Sequence, residues 1–329
     1  QRQGWLQHAI APRPIAFAST IDKKGNVNLS PFSFFNVFGS NPATLIFSPA
    51  RRVRDNTIKH TLENIYETNE VVINVVNYSM VQQVNLSSCE YPKEIDEFTK
   101  AGFTKLASEK IKPYRVAESP VQMECKVKQV IETGTGGGAG NLVICELLVM
   151  HINDNILNAE NNIDPNKIDL VARMGFDFYC RASGAAVFEV NKPNTKLGIG
   201  IDQLPTSILN SKILTGNDLG ILANIEQIPS VNTSFNDEQL KHIIQYYNVN
   251  PEEMEKELHT YAKILLQQGK MQEAWQKYID TAISKTINLP HDADVKVVMD
   301  SYWEAYLGNL KGITVYRDGC RNNVAGMKQ

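Results

Sequence analysis

Short apolar runs alternate with polar segments over the first 200 residues, which is the pattern of β-strands separated by turns. The longer apolar runs predict strands at 13–21, 29–38, 43–48, 71–77, 121–133 and 141–152. Two shorter runs, at 185–190 and 197–201, are further strand candidates. The polar stretch DKKGN at 22–26 separates the first two runs and predicts a hairpin loop.

Helical spacing of apolar residues appears once in this β-rich part and dominates the last third of the chain. Residues 55–68 place Ile58, Leu62 and Ile65 on one helical face. Later segments predict helices at 236–248, 251–269, 270–285 and 292–309, with a short strand at 311–316. Pro251 and the two glutamates after it suit the first turn of a helix. The fold class is therefore predicted to be mainly β with helices, ending in a C-terminal helical extension.

Composition describes an ordinary globular protein. The chain has 329 residues, of which 43% are hydrophobic and 21% charged, so a sizeable core can be buried. A net charge of −3 provides no general positive field for nucleic acid. No apolar run reaches the ~18 residues of a membrane span, and no signal peptide is visible. We expect a cytoplasmic protein that binds neither nucleic acid nor membrane.

The residue types that usually bind metals or act as nucleophiles form no recognisable motif. Five scattered cysteines show no CxxC spacing, which favours free thiols in a reducing compartment. The six histidines show no HExxH spacing, so no metal is predicted. No GxSxG motif occurs, and we assign no catalytic residue. Proteins of this kind often leave the chemistry to a cofactor.

The segment SPARRVRDNTIKHTLEN at 48–64 combines cations and hydroxyls at a predicted strand–helix junction. Its cations and hydroxyls are Arg51, Arg52, Arg54, Lys59 and His60, with Ser48, Thr57 and Thr61. Such groups at the start of a helix can bind a phosphate, because the helix adds free N–H donors and a favourable dipole. A solvated basic face is the alternative, and the pattern does not decide between the two.

Two further segments have a possible chemical use. In SPFSFFN (30–36), alternation would send Phe32 and Phe34 to one face and Ser33 and Phe35 to the other. A planar ring could lie against such a strand, although the pattern alone favours a strand packed on both faces. The run GTGGGAG at 134–140 fits no nucleotide-binding motif and predicts a hairpin connection instead.

Taken in order, several segments of the chain resemble the flavin reductase-like, FMN-binding split-barrel proteins. The resemblance rests on APRPIAFAST (11–20), DKKGNVN (22–28), LSPFSFFNVFGSNPATLIFSP (29–49), KHTLENI (59–65), NLSSCEYPKEIDEFTKAGFT (85–104), GNLVICELLVMHI (140–152), RMGFDFYCR (173–181) and LTGNDLG (214–220). It implies an FMN-binding split β-barrel over 1–225, with a helical tail of that domain over 226–275. It also implies a homodimer with FMN near the interface.

The resemblance implies a set of cofactor-binding residues. Those bordering the flavin would be Arg13, Ser30, Pro31, Phe32, Ser33, Phe34, Phe35 and Asn36. Those holding the phosphate and ribityl end would be Ser48, Arg51, Lys59, Thr61 and Asn64, and Arg173 and Tyr179 would face the flavin or the nicotinamide side. The chain departs from the family at His60, where Asp is usual, and at Phe176, where many relatives have Gly.

The activity implied by the resemblance is an FMN-dependent oxidoreductase. NAD(P)H would deliver hydride to flavin N5, and electrons would pass to free flavin, a ferric complex or a partner protein. A flavoredoxin-like electron carrier without its own nicotinamide site is an alternative. An inactive fusion product is a third hypothesis.

A second resemblance covers the end of the chain, about residues 271–329. AISKTINLP (282–290) and LKGITVYRDGCR (310–321) are similar to the C-terminal end of adenosylcobalamin-dependent ribonucleotide reductase. The catalytic barrel and its cysteines are absent from this stretch, so no ribonucleotide reductase activity is expected. The fragment, placed at 276–329, would come from a natural fusion, a truncated neighbouring gene or an assembly join, and we favour a vestigial or artefactual join.

Overall fold

The computed structural model describes residues 2–190, 192, 197–230, 236–247, 250–279, 284–289, 296–297, 299 and 312–317. The chain divides into two compact units, Gln1–Glu189 and Val190–Gln329. In the described part, no helix is both long and apolar enough to cross a membrane.

The first unit is built on strands. They are β1 (Ala16–Ile21), β2 (Val27–Phe32), β3 (Phe35–Ser40), β4 (Ala43–Phe47), β5 (Glu70–Val75), β6 (Lys105–Leu106), β7 (Arg115–Val116), β8 (Val121–Glu132), β9 (Asn141–Ile152), β10 (Leu170–Gly175) and β11 (Phe178–Ala182). Its helices are short: α1 (Arg2–Ala9), α2 (His60–Thr68), α3 (Val81–Leu86), α4 (Glu97–Ala101) and α5 (Pro165–Ile168).

Seven strands form one antiparallel sheet in the order β2-β1-β5-β8-β9-β4-β3. The two edge strands, β2 and β3, follow one another in the chain with only Ser33 and Phe34 between them. Because so short a link cannot span a flat seven-stranded sheet, the sheet must curl until its edges meet. The result is a split barrel closed at one seam by the chain itself, which confirms the predicted fold class.

The barrel encloses an apolar core that its own strands supply. This core includes Phe47, Ile73, Val121, Val143 and Cys145, and α2 adds Leu62 and Ile65. A second core lies on the opposite side of β1 and β2, where α3 and α4 contribute Val84 and Phe98. Alternate residues of the same strands therefore serve two cores.

The structure corrects two predicted element boundaries. The apolar run at 29–38 is two strands on opposite edges of the sheet, because the chain turns at the seam between Phe32 and Phe35. The helix predicted at 55–68 begins only at His60, after an irregular segment that contains the arginines. Ile58 packs against the barrel core from outside the helix.

Two short predicted strands are absent, and one observed hairpin was not predicted. Residues 185–190 and 197–201 form no strand; short 3₁₀ turns occupy Gly184–Ala186 and Ile201–Gln203. The hairpin of β10 and β11 was not predicted as strands. The loop at 22–26 and the loop at 134–140 do join antiparallel neighbours, as predicted.

The second unit is helical in its described residues up to 279. Its helices are α6 (Thr206–Leu209), α7 (Gly216–Ala223), α8 (Glu238–Tyr247), α9 (Pro251–Gln267) and α10 (Met271–Ile279). Asn250 caps α9 by accepting a hydrogen bond from the Glu253 N–H at 3.3 Å. Trp275 is fully buried among Leu222, Ile208 and Ala262 in the core of this unit.

The last two residues of the helix predicted at 270–285 belong to a strand. β12 (Ser284–Leu289) pairs in parallel with β13 (Gly312–Arg317), so the short strand predicted at 311–316 is confirmed and the end of the predicted helix is wrong. Most of the helix predicted at 292–309 lies outside the described residues.

Candidate functional site

The seam of the barrel is joined to the segment that follows β4. The Ser48 N–H donates to the Phe34 carbonyl at 2.8 Å, which continues the β3–β4 pairing beyond its last strand residue. The buried Ser48 hydroxyl accepts from the Asn141 N–H at 3.0 Å. Ser48 therefore links the seam to the first residue of β9.

The glycine-rich hairpin loop packs closely against the arginine segment. The Arg51 N–H donates to the Ala139 carbonyl at 2.8 Å, and the Gly138 N–H donates back to the Arg51 carbonyl at 3.0 Å. A Cβ atom at Gly140 would lie 2.8 Å from the Ser48 hydroxyl oxygen. Glycine is therefore needed at 140, because the buried Ser48 hydroxyl occupies the space that a side chain would take.

Three cations converge on one carboxylate beside this loop. Glu90 contacts Arg52 Nε at 3.2 Å, an Arg54 nitrogen at 2.8 Å and Lys59 Nζ at 3.5 Å. Loss of hydration favours the protonated acid, but the charges of Lys59 and Arg54 outweigh it and lower the pKa of Glu90. Arg51 is held separately, by the Asn56 side-chain oxygen at 2.8 Å.

His60, one of the two residues that depart from the family pattern, is the first residue of α2. Burial is the largest influence on it and lowers its pKa from the ordinary 6.5. Burial therefore favours the neutral form of the imidazole over the charged one.

Thr61 and Asn64 lie on the buried face of α2, against β1 and β2. The Thr61 hydroxyl donates to Asn28 Oδ1 at 2.5 Å, and the Asn64 side-chain amide donates to the Thr20 hydroxyl at 3.2 Å. Each is 1% exposed. The structure thus places both against the sheet, each with a protein partner.

The strand SPFSFFN does not alternate as the sequence suggested. Ser30, Pro31 and Phe32 end β2, Ser33 and Phe34 form the seam, and Phe35 and Asn36 begin β3. Phe32 is buried and its ring centroid is 5.5 Å from that of Phe47. Phe34 is 45% exposed. The expectation that both rings share one face is wrong, because the seam breaks the alternation.

Arg13, Arg173 and Tyr179 form a second group. Arg13 and Arg173 exchange two backbone hydrogen bonds, at 3.0 and 2.9 Å. The Arg13 side chain turns inward and donates to the carbonyls of Gln7 and Ile10. The Arg173 guanidinium lies over the Tyr179 ring, 4.6 Å from its centroid.

Phe176 sits at the turn of the β10–β11 hairpin with a φ of 41°. This is the left-handed region that glycine adopts most easily. The Phe176 ring centroid lies 4.6 Å from that of His8, and the Phe176 carbonyl accepts from Arg173. The side chain thus packs on α1.

A cavity of about 330 Å³ opens between α3 and the β10–β11 hairpin. Its lining includes Arg173, Tyr179, Tyr78, Gln82, Asn85, Asp177 and Arg181. The Arg181 guanidinium stacks on Tyr78 at 4.0 Å and pairs with Asp169 at 2.7 and 2.8 Å. The family resemblance implied Arg173 and Tyr179, whereas the α3 wall was not predicted, because its residues carry no motif.

The candidate residues therefore divide between the two ends of the β1–β2 hairpin. Phe32 pairs with Ala16 near Arg13, whereas Asn28 pairs with Thr20 beside α2. Four residues of strand separate these pairs, or about 13 Å. The structure joins Ser48 to the seam and Arg51 to the glycine-rich loop, and it gathers Arg52, Arg54 and Lys59 around Glu90. Arg13 and Arg173 form their own group.

A split barrel with a cluster of cations in the segment after its fourth strand is the class of protein that this fold and site define. The family model for the flavin reductase like domain matches residues 8–165. An uncharacterized protein of Aquifex aeolicus is 34% identical over 181 residues, covering 55% of this chain and 90% of that protein. Another, from Halalkalibacterium halodurans, is 37% identical over 173 residues, covering 52% and 82%. The chain belongs to the flavin reductase-like family.

Solved structures agree with this assignment. Nitrilotriacetate monooxygenase component B from Bacillus cereus superposes with a TM-score of 0.54 and 26% identity, covering 57% of this chain and 92% of that one. The 2-nitrobenzoate 2-nitroreductase of Pseudomonas fluorescens gives 0.53 and 23%, covering 61% and 94%, which shows the shared fold. Family and fold together support an FMN-binding function of the flavin reductase type.

The end of the chain is similar to a different protein. The family model for the ribonucleotide reductase barrel domain matches residues 220–316. The vitamin B12-dependent ribonucleoside-diphosphate reductase of Mycobacterium tuberculosis is 48% identical over 52 residues, which are 16% of this chain and 8% of that enzyme. The resemblance to that enzyme is thus confined to a small piece of it.

Proposed function

We propose that the first unit binds FMN and acts as an NAD(P)H-dependent oxidoreductase of the flavin reductase type. The observation that carries this proposal is the group of cations at Arg52, Arg54 and Lys59, in the segment that begins at Ser48 and packs against the glycine-rich loop. A phosphate monoester is the anion of the flavin that such donors would bind.

The residues present fit a flavin phosphate in their chemistry. Guanidinium groups can bind phosphate oxygens in pairs, and a lysine adds a point charge. Arg51 also lies in this segment, and its two backbone hydrogen bonds with Ala139 and Gly138 keep the β8–β9 loop against it. We therefore assign the phosphate to Arg51, Arg52, Arg54 and Lys59, with Ser48 next to them. Thr61 and Asn64 would act indirectly, by fixing α2 on the sheet.

The flavin ring is assigned to the seam, from Ser30 to Asn36. β3 is an edge strand, so the main-chain groups on its outer side have no strand partner in this sheet. Such groups can hydrogen-bond the polar edge of a planar ring, while the half-exposed Phe34 offers an aromatic face. The chemistry that bound FMN supplies is reversible two-electron reduction of its ring. The chain's part is to bind, orient and shield that ring.

The cavity at Arg173 and Tyr179 favours a reductase over an electron carrier. A carrier needs no pocket for a second small molecule, whereas a reductase must bind its nicotinamide donor. The cavity offers aromatic faces, a cation and side-chain amides within a volume suited to part of such a ligand. We assign the NAD(P)H site to this cavity. The electron acceptor is proposed to be free flavin, a ferric complex or a partner protein.

A homodimer is part of the proposal. Val37 and Phe38 on the edge strand β3 are 62% and 64% exposed. An apolar edge strand of this kind normally finds a partner, because it exposes both side chains and unpaired backbone groups. We propose that a second copy of the chain covers it.

The test is an absorption spectrum of the purified protein, with and without added FMN, before and after NADH or NADPH. Bound oxidised flavin should absorb blue light, and reduction by NADH or NADPH should remove that absorption band. Flavin that binds without being bleached would leave the electron carrier as the better description. Failure to take up FMN at all would refute the proposed function.

A further inference from the structure

Glu90 is the feature of the anion site that its proposed function leaves unexplained. A site for phosphate gains affinity from cations, and Glu90 places a negative charge among three of them. Its carboxylate oxygens contact the same donor atoms that a phosphate would use. The carboxylate and a phosphate therefore cannot both have these contacts.

The loop that carries Glu90 is anchored at a separate point. Lys93 Nζ lies 3.3 Å from Glu63, 3.8 Å from Asp22 and 3.9 Å from Glu67. These contacts tie residues 87–95, here called the Glu90 loop, to α2 and to the β1–β2 turn. Because the anchor does not involve Glu90, its side chain can leave the cations without release of the loop.

The exposure of these side chains supports an exchangeable contact. The Glu90 side chain is 41% exposed, that of Lys59 31% and that of Arg54 74%, whereas that of Arg52 is 14% exposed. Ion pairs at such exposure contribute little to folding stability. The contact is thus weak enough for a doubly charged phosphate to replace it, and close enough to re-form when the phosphate departs.

We propose that Glu90 is an affinity-determining residue that competes with the phosphate of FMN for Arg52, Arg54 and Lys59. This inference rests on the proposed function. Glu90 takes over the cations as the phosphate leaves, so it lowers the cost of release and keeps the flavin exchangeable. A flavin without a phosphate does not meet this competition.

The experiment compares Glu90→Gln with wild type, and uses Glu94→Gln as the matched control. Glu94 is an exposed acid of the same loop, so its variant makes the same change of charge. Dissociation constants for FMN and for riboflavin are measured by quenching of flavin fluorescence. We expect Glu90→Gln to bind FMN about three- to tenfold more tightly, and to bind riboflavin as wild type does. Glu94→Gln should match wild type for both flavins.

Equal or weaker FMN binding by Glu90→Gln would overturn the inference and leave the proposed function intact. An equal gain in FMN affinity in both variants would also overturn it. The loss of one negative charge anywhere on the loop would then explain the gain. If no variant binds either flavin, the proposed function fails. Thermal unfolding with inorganic phosphate then decides the inference: a larger rise in Tm for Glu90→Gln than for wild type supports it, and equal rises refute it.

Discussion

At the scale of single residues, one short motif contains two different roles. Lys59 and Thr61 are two positions apart, and the family resemblance assigns both to the phosphate. The structure leaves Lys59 beside Glu90 at the surface and buries the Thr61 hydroxyl on Asn28. A substitution of Thr61 should therefore change the free energy of unfolding, and a substitution of Lys59 should change the affinity for FMN.

Thr61→Val should lower the free energy of unfolding by about 1–3 kcal/mol, because Asn28 Oδ1 would stay buried without its donor. Urea denaturation measures this change. Thr104→Val, at an exposed position, is the control and should stay within ~0.5 kcal/mol of wild type. A Thr61→Val protein of wild-type stability would show that this hydrogen bond contributes nothing.

Lys59→Ala should weaken FMN binding about tenfold, since one charge-assisted contact to the phosphate is lost. Its free energy of unfolding should hardly change, because the side chain is partly exposed and its ion pair is weak. Fluorescence titration with FMN measures the affinity. Lys24→Ala removes the same charge from the exposed β1–β2 turn and should bind FMN normally. Unaltered affinity in Lys59→Ala would place the phosphate elsewhere.

Glu124 makes the free energy of unfolding depend on pH in the acid range. Burial favours its protonated form, but the N–H groups of Glu109 and Lys110, at 2.8 and 2.7 Å, and His151, at 2.8 Å, outweigh burial and lower its pKa. A lowered folded-state pKa gives stability that is present above the unfolded value, ordinarily 4.5, and is lost as the pH falls.

We therefore expect the free energy of unfolding to decline below about pH 4.5, and to decline less steeply in Glu124→Gln. Urea denaturation between pH 7 and pH 3 gives the slope. Glu160→Gln, which removes an exposed carboxylate, is the control and should keep the wild-type slope. Identical slopes for all three proteins would contradict the assigned role of Glu124.

At the scale of elements, the edge strand β3 carries the proposed dimer contact. Phe38→Lys places a charge on that edge and should shift the protein from twice 36.8 kDa towards 36.8 kDa in light scattering. Tyr246→Lys, at a 70% exposed position of α8, should not change the mass. A wild-type protein of monomer mass would contradict the proposed dimer.

The sequence predicted elements well where the apolar pattern is long and local. β8, β9 and the α9 helix follow their predicted limits within two residues, since long periodic segments are the clearest signal. The seam was not predictable in this way. Both halves of 29–38 are apolar, so the local pattern does not show that β2 pairs with the preceding strand β1 while β3 pairs with the following strand β4.

The residues of the candidate site could be predicted only where they lie close together in the sequence. Arg51 and Lys59 were found because cations cluster in the sequence. Glu90 and the α3 wall of the cavity were missed, because they reach their partners from 31 or more residues away along the chain. Long-range contacts of this kind leave no local pattern for a single sequence to reveal.

At the scale of the whole molecule, the barrel core is complete within the first unit. Both apolar clusters of that unit are formed by residues between 15 and 171. A chain ending at Glu189 should therefore unfold cooperatively and retain FMN binding, as measured by calorimetry and flavin titration. The matched comparison is a chain ending at Ile279, which keeps the described helices of the second unit. Loss of cooperative unfolding only in the shorter chain would show that the barrel needs the second unit.

The domain limits predicted from the sequence, 1–225, 226–275 and 276–329, remain predictions.

The closed seam also has a consequence for synthesis on the ribosome. β4 pairs with β9 through Thr44 and Glu146, so the β3–β4 ribbon is made about 100 residues before its partner. At the usual speed of translation, the ribbon waits roughly 5–20 s with its apolar edge uncovered. During that interval a nascent chain is exposed to chaperones and to neighbouring nascent chains. The barrel can therefore close only late in synthesis, after β9 has been made.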